Sequence, residues 1–164
     1  MDGNIDTKRR RLARLAAIQA LYQMELSSHK SKFVVQQFNE KWRDASDVQD
    51  KANADEDFFE LIVLGVVAEQ DAVDEAISGK LGENWKLSRL DVTLRALMRC
   101  ASYELLRLFE VPAVVIIDQY VGLARDFYAG KEPGFVNAAL DKLARERRPG
   151  EFGVPGGVDG ESDG

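Results

Sequence analysis

The chain of 164 residues has one cysteine, one histidine and four prolines. One cysteine excludes an intrachain disulfide framework and a cysteine-based zinc site within one chain. Cys100 sits in the apolar run LMRCASYEL and reads as a small core side chain rather than a reactive thiol. The lone histidine, His29, lies in SSHKS, a polar turn that suits neither a ligand nor a base. No Ser-His-Asp arrangement is set out by motif. HExxH and DxDxDG are missing, and the one glycine cluster, GVPGG, follows no strand. Asp71, Asp74 and Glu75 recur at helical spacing, where carboxylates are usually a solvated face. No run reaches the ~18 uncharged apolar residues that span a bilayer. Arg14, Gln19, Gln23 and Glu25 break up any export-signal core, so the expectation is a cytoplasmic protein. These absences lead away from an enzyme, with no cofactor or metal implied, and toward a binding protein.

What the sequence has is helical periodicity. Residues 1–7 are polar and expected to fray. From Lys8, the residues Leu12, Leu15, Ile18, Tyr22 and Leu26 recur at spacings of three and four, the mark of one helical face. Phe33, Val34, Gln37, Phe38 and Trp42 suggest a short second helix, and RDASDVQDKANADED a polar loop. DEDFFELIVLGVVAEQDAVDEAI reads as one central helix. Its acidic start suits the positive end of a helix dipole, and Ile62, Val66, Val73 and Ile77 share a face. Ser88 and Asp91 resemble a capping box ahead of a stripe at Leu90, Leu94, Leu97, Ala101, Leu105 and Leu108. Pro112 opens a helix carrying Ile117, Tyr120, Ala124 and Phe127. A last helix holds Val136, Leu140 and Leu143, with basic residues at its end. The expectation is an all-α bundle of six or seven helices, in two small helical subdomains sharing a core. The folded domain spans 8–148, and 149–164 form a disordered, Gly-rich acidic tail.

One local feature conflicts with the rest. The formal net charge is −6, yet Lys8, Arg9, Arg10, Arg11 and Arg14 fall within seven positions. Like charges at helical spacing repel, and cations at a helix start oppose the dipole. Such a cluster is either an idle, solvated helix end or a clamp for an anionic polymer. Arginine favours phosphate because its planar fork donates two parallel hydrogen bonds.

Four blocks in order resemble the NusB family of transcription antitermination factors. RRRLARLAAIQALYQMELS is similar to that family's opening helix, and LRALMRCASYELL to its fourth. VPAVVIIDQYVGLARDF resembles its fifth, with Asp118-Gln119 where the family usually reads Asn-Glu. GFVNAALDKL resembles its closing helix. The blocks cover about residues 8–146.

The resemblance implies a non-enzymatic protein that binds the boxA element of ribosomal RNA leaders together with NusE, a small-subunit ribosomal protein. It implies that this complex suppresses termination by RNA polymerase. By resemblance, Lys8, Arg9, Arg10, Arg11 and Arg14 are the phosphate contacts, and Tyr22 and Phe135 face RNA. Lys131, just before Phe135, stands where a relative carries an acidic residue. Tyr22 as pure core, Phe135 as a hydrophobic staple and Asn137 as a backbone cap are the competing structural readings. Arg95, Arg99 and Asp118 are candidate contacts for the protein partner. Two other readings remain open: a protein-only helical adaptor or homodimer, and a fragment of an RNA methyltransferase, for which the chain has no room for a cofactor-binding α/β domain.

Overall fold

The computed structural model describes residues 2–46, 54–82 and 86–153. Among these are seven α-helices, two short 3-10 turns and no strand. The helices are α1 (Asp2–Leu26), α2 (Ser31–Ser46), α3 (Glu56–Ala68), α4 (Gln70–Ser78), α5 (Val92–Arg107), α6 (Ala113–Phe127) and α7 (Glu132–Arg147). No helix among the described residues is long and apolar enough to cross a membrane.

α1, α2 and α3 pack together, and α4, α6 and α7 surround α5. α5 also packs on α1 and α3, so the two groups of helices share one apolar cluster. α1 enters that cluster through small side chains: Ala13, Ala17 and Ala20 are fully buried beside Ile18. Alanines let the neighbouring backbones approach closely, and they favour the helix itself. α5 is the central element. Its buried residues run from Leu94 through Leu97, Ala101 and Leu105, as its spacing predicts.

Several expectations are corrected. Helix α1 begins at Asp2, so residues 2–7, expected to fray, are helical in the structure. Its buried face is only in part the stripe read from spacing: Ile18 is buried and Leu15 packs against the core. Leu12, Tyr22 and Leu26 are exposed, and the alanines lie inward. The long helix read over residues 55–77 is two helices. They divide at Glu69, whose backbone (φ −120°, ψ 29°) leaves helical geometry while its N–H still bonds the Gly65 carbonyl. Helix α2 reaches Ser46, so part of the expected polar loop is helical, and residues 47–53 of that loop lie outside the described residues. The capping box is also different. Asp91, not Ser88, is the N-cap of α5: its carboxylate accepts the Leu94 N–H at 2.9 Å, and the Tyr128 hydroxyl donates to the same oxygen at 2.8 Å. Burial and this bond to a carboxylate push the Tyr128 phenol above its ordinary pKa.

The end of the domain is corrected too. Pro149–Phe152 form a 3-10 turn, whose Glu151 carboxylate accepts the first amide of α6, Ala113 N–H, at 2.8 Å. Arg148 is buried beneath it. Its guanidinium donates to the carbonyls of Glu104, Leu105, Leu108 and Val111 at 2.6–3.0 Å. Those carbonyls end α5 and begin the next connection, where intrahelical donors run out; the Glu104 and Leu108 carbonyls also accept the Leu108 and Val111 N–H. Residues 154–164 of the expected tail lie outside the described residues.

Candidate nucleic-acid interface

The basic run sits in the second to fourth turns of α1, beyond the reach of the positive dipole end. The conflict expected at a helix start therefore does not arise. The run is instead divided by the helix's own rotation, with one arginine inside the protein and the others outside.

Arg14 is 2% exposed, and its guanidinium closes on Glu104 of α5. Nε donates to one carboxylate oxygen at 2.8 Å and Nη2 to the other at 3.0 Å. The Tyr120 hydroxyl of α6 donates to the same carboxylate at 2.6 Å. The Arg14 charge also lies 5.0 Å from the Phe58 ring centroid and 5.9 Å from that of Tyr120. Burial alone would lower the Arg14 pKa, and the bonded Glu104 carboxylate outweighs it, so the net shift is upward. Burial, then the Glu104 charge, push the Tyr120 phenol far up, which keeps it a donor. The same two causes push the buried Cys100 thiol up and keep it protonated. Arg14, expected by resemblance to be a phosphate contact, is thus buried and ties α1 to α5 and α6.

The outer residues differ. Lys8 is exposed and Arg9 half-buried. The Arg9 carbonyl accepts the Asp55 N–H at 3.0 Å, joining α1 to the start of α3. The Arg10 guanidinium lies 4.2 Å over the Phe58 ring, and its Nε is 3.8 Å from the Asp55 carboxylate. That carboxylate also caps α3 by accepting the Phe58 N–H at 3.0 Å. Arg11 reaches to α6. Its Nη2 donates to Asp126 at 2.9 Å, and its Nη1 to the Gln119 side chain at 3.5 Å. A Cβ on Gly122 would come within 3.1 Å of Nη1, so the glycine leaves the space the guanidinium lies in. The Arg10 and Arg11 side chains remain 39% and 37% exposed.

Of the proposed aromatic contacts, Tyr22 is 42% exposed on α1 and is not core. Phe135 is half-buried against the core in the first turns of α7, and its N–H donates to the Lys131 carbonyl at 3.1 Å. Lys131 is exposed at the N-cap of α7, and Asn137 is exposed further along. Arg11 links these regions, because Asp126 lies at the end of α6, just before the turn that carries Lys131.

The candidate protein-partner residues do not share one surface groove. Arg95 donates to Glu25 and, through Nη1, to the Leu90 carbonyl at 2.6 Å. Arg99 makes a two-pronged pair with Asp74 at 2.8 and 2.9 Å. These two line a groove of about 900 Å³ between α1, α4 and α5. Asp118 lines a separate groove of about 400 Å³ between α6 and α7. Glu104, Arg148, Glu25 and Asp126 escaped sequence reasoning. Glu104 alone left a signal, as a carboxylate set within the apolar stripe of α5.

The NusB family model matches residues 11–145 of this chain. The chain is 46% identical over 144 residues to the transcription antitermination protein NusB of Maricaulis maris, covering 87% of this chain and 90% of that protein. It is 45% identical over 141 residues to the protein of the same name from Caulobacter vibrioides, covering 85% and 94%. A solved structure of T. maritima NusB superposes with a TM-score of 0.70 at 29% identity, covering 88% of this chain and 97% of that one. The helical order, the basic first helix and these matches agree, and the chain belongs to the NusB family.

Proposed function

We propose that this chain is a transcription antitermination factor. In this reading it binds a boxA-type single strand of ribosomal RNA leaders together with NusE, and the complex acts on RNA polymerase. The names of its relatives support the antitermination role. The observation that carries the RNA reading is the basic run of α1. There Lys8, Arg9, Arg10 and Arg11 follow one another, Arg10 held on the α3 side and Arg11 on the α6 side, with both side chains still more than one-third exposed. Held arginines lose less side-chain entropy on meeting a phosphate.

In this proposal these four residues contact backbone phosphates and fix the strand, while Arg14 keeps the helix in place from within. Tyr22 and Phe135 offer ring faces for unpaired bases, each stack contributing ~1–3 kcal/mol. Lys131 adds a cation beside Phe135. Arg95 and Arg99, held by Glu25 and Asp74, and the exposed Asp118 on a separate groove are the candidate contacts for NusE. A second protein bound to the same strand raises affinity by adding contacts to one chain of RNA.

The test is fluorescence anisotropy with a labelled boxA-type RNA and a scrambled RNA, with and without NusE, at two salt concentrations. The proposal expects selective binding that NusE strengthens. Arg9/Arg10/Arg11→Ala should abolish it, and Arg9→Ala or Arg10→Ala alone should flatten the salt dependence by about 0.7 in log–log slope per lost phosphate contact. Equal, weak binding of both RNAs with no effect of NusE overturns it.

A further inference from the structure

The Arg11–Asp126 pair is built unlike the other ion pairs of the basic run. Glu104, the partner of Arg14, is fully buried and bonded twice more, by a second guanidinium nitrogen and by Tyr120. Asp55, the partner of Arg10, is committed to capping α3, and Arg10 keeps its place over Phe58 whatever the carboxylate does. Asp126 has no such second duty among the bonds described. Its side chain is 67% exposed, and its carboxylate meets Arg11 through one oxygen at 2.9 Å. Arg11 for its part rests in the space left by Gly122, with the neutral Gln119 amide on its other nitrogen.

We propose that Asp126 is a resident competitor for the phosphate of a bound RNA strand: Arg11 exchanges the Asp126 carboxylate for a phosphate oxygen, and Asp126 thereby sets the affinity and salt sensitivity of the interface. The inference rests on the RNA-binding reading above. Two features of the pair carry it. The carboxylate is a single, exposed hydrogen-bond partner, of the kind that contributes little to folding and is readily given up. Arginine's fork suits phosphate at least as well as carboxylate, so the exchange is close to balanced. The seat provided by Gly122 and Gln119 keeps the guanidinium in position while its anion changes.

The exchange has a signature in salt. A phosphate that gains a cationic partner releases about 0.7 of a counterion from a single strand. In the wild-type protein Arg11 leaves a carboxylate behind when it turns to phosphate, and that carboxylate takes up a cation from solution. The two effects offset, so the Arg11 contact adds little to the salt dependence of binding. With the isosteric amide at position 126 nothing is left behind, and the full release is seen.

The experiment compares wild type, Asp126→Asn, Arg11→Gln and the double variant, each as the full chain. The probe is a fluorescein-labelled boxA-type single strand, titrated across a salt series. Asp126→Asn is expected to tighten binding on the order of five-fold at low salt, since a surface charge pair contributes roughly that much. It should also steepen the log–log salt slope by up to about 0.7. In the Arg11→Gln background the same substitution should give less than half of that gain. A full gain in that background means Asp126 repels RNA as a diffuse charge, and the exchange is overturned. Unchanged or weaker binding by Asp126→Asn in a protein that does bind the RNA also overturns it, and leaves the RNA reading standing. A wild-type protein that fails to bind this RNA removes both.

Discussion

Arg11 and Arg14 lie less than one helical turn apart on α1, and each holds a carboxylate from a distant helix. The inner pair is nearly sealed: the Arg14 and Glu104 side chains are 3% and 0% exposed. The outer pair, Arg11 with Asp126, stands in water. The same two functional groups thus serve different ends. In the interior, taking two charges out of water is costly, and only a complete set of bonds offsets the cost. The Arg14–Glu104–Tyr120 node supplies that set and fixes how α1 sits on α5 and α6. Outside, water competes with every bond, so a pair adds little to folding and stays free to exchange. Sequence position alone assigned all of these arginines to one role, and burial divides them.

The largest expected effect breaks the inner pair. Arg14→Leu leaves the Glu104 carboxylate buried with Tyr120 as its remaining donor. The expected loss is about 3–5 kcal/mol in urea-induced unfolding, the cost of an uncompensated buried charge. Arg14→Leu combined with Glu104→Leu should recover a large part of that loss, because no charge is then stranded. A single variant that loses less than about 1 kcal/mol would break the comparison, since the inner pair would then behave like a surface one.

A second buried arginine sharpens the same point without a buried carboxylate partner. Arg148 is 4% exposed and donates to four main-chain carbonyls at the end of α5 and the start of the following connection. Arg148→Ala removes one donor from each; the Glu104 and Leu108 carbonyls keep the Leu108 and Val111 N–H, while those of Leu105 and Val111 lose the donor described for them. The expected loss is on the order of 3 kcal/mol in thermal or chemical unfolding, because unsatisfied buried carbonyls carry the desolvation cost that bonding had offset. Arg148→Lys should restore only part of it. An ammonium is a compact point charge and lacks the planar fork that reaches four carbonyls at once.

Local pattern made much of this fold legible. The apolar stripe of α5, the inward residues Val136, Leu140 and Leu143 of α7, and the all-helical class follow from three- and four-residue spacing. Spacing found Ile18 but missed most of the core face of α1, which is made of alanines that a search for large apolar residues passes over. It failed at Glu69 because the apolar period continues on both sides of the break. The candidate interface was legible as composition, a basic run on an acidic chain, but not as geometry. Glu104 is 90 residues from Arg14, and Asp126 is 115 from Arg11, and no local signal joins such partners. Arg148 looked like one more cation at the negative end of α7, where its charge suits the dipole. Its main bonds instead go to the carbonyls that end another helix.

The smallest effect on stability belongs to the outer pair, and there the comparison is tested most directly. Arg11→Gln keeps a polar side chain near Gln119 and removes the charge facing Asp126. With the Arg11 and Asp126 side chains 37% and 67% exposed, the expected change in unfolding free energy is under about 1 kcal/mol. Its effect on binding to a boxA-type RNA should be larger than its effect on folding, because the substitution removes the phosphate contact proposed above while the fold remains. Arg14→Leu should show the reverse. It should lower stability strongly, yet under conditions where it stays folded it should keep the salt slope of the wild-type protein, since the Arg14 side chain is only 3% exposed. If Arg11→Gln unfolds the protein as readily as Arg14→Leu, exposure does not sort these arginines. If Arg14→Leu flattens the salt slope while folded, the inner arginine reaches phosphate after all, and the division of the basic run into an anchor and a contact surface fails.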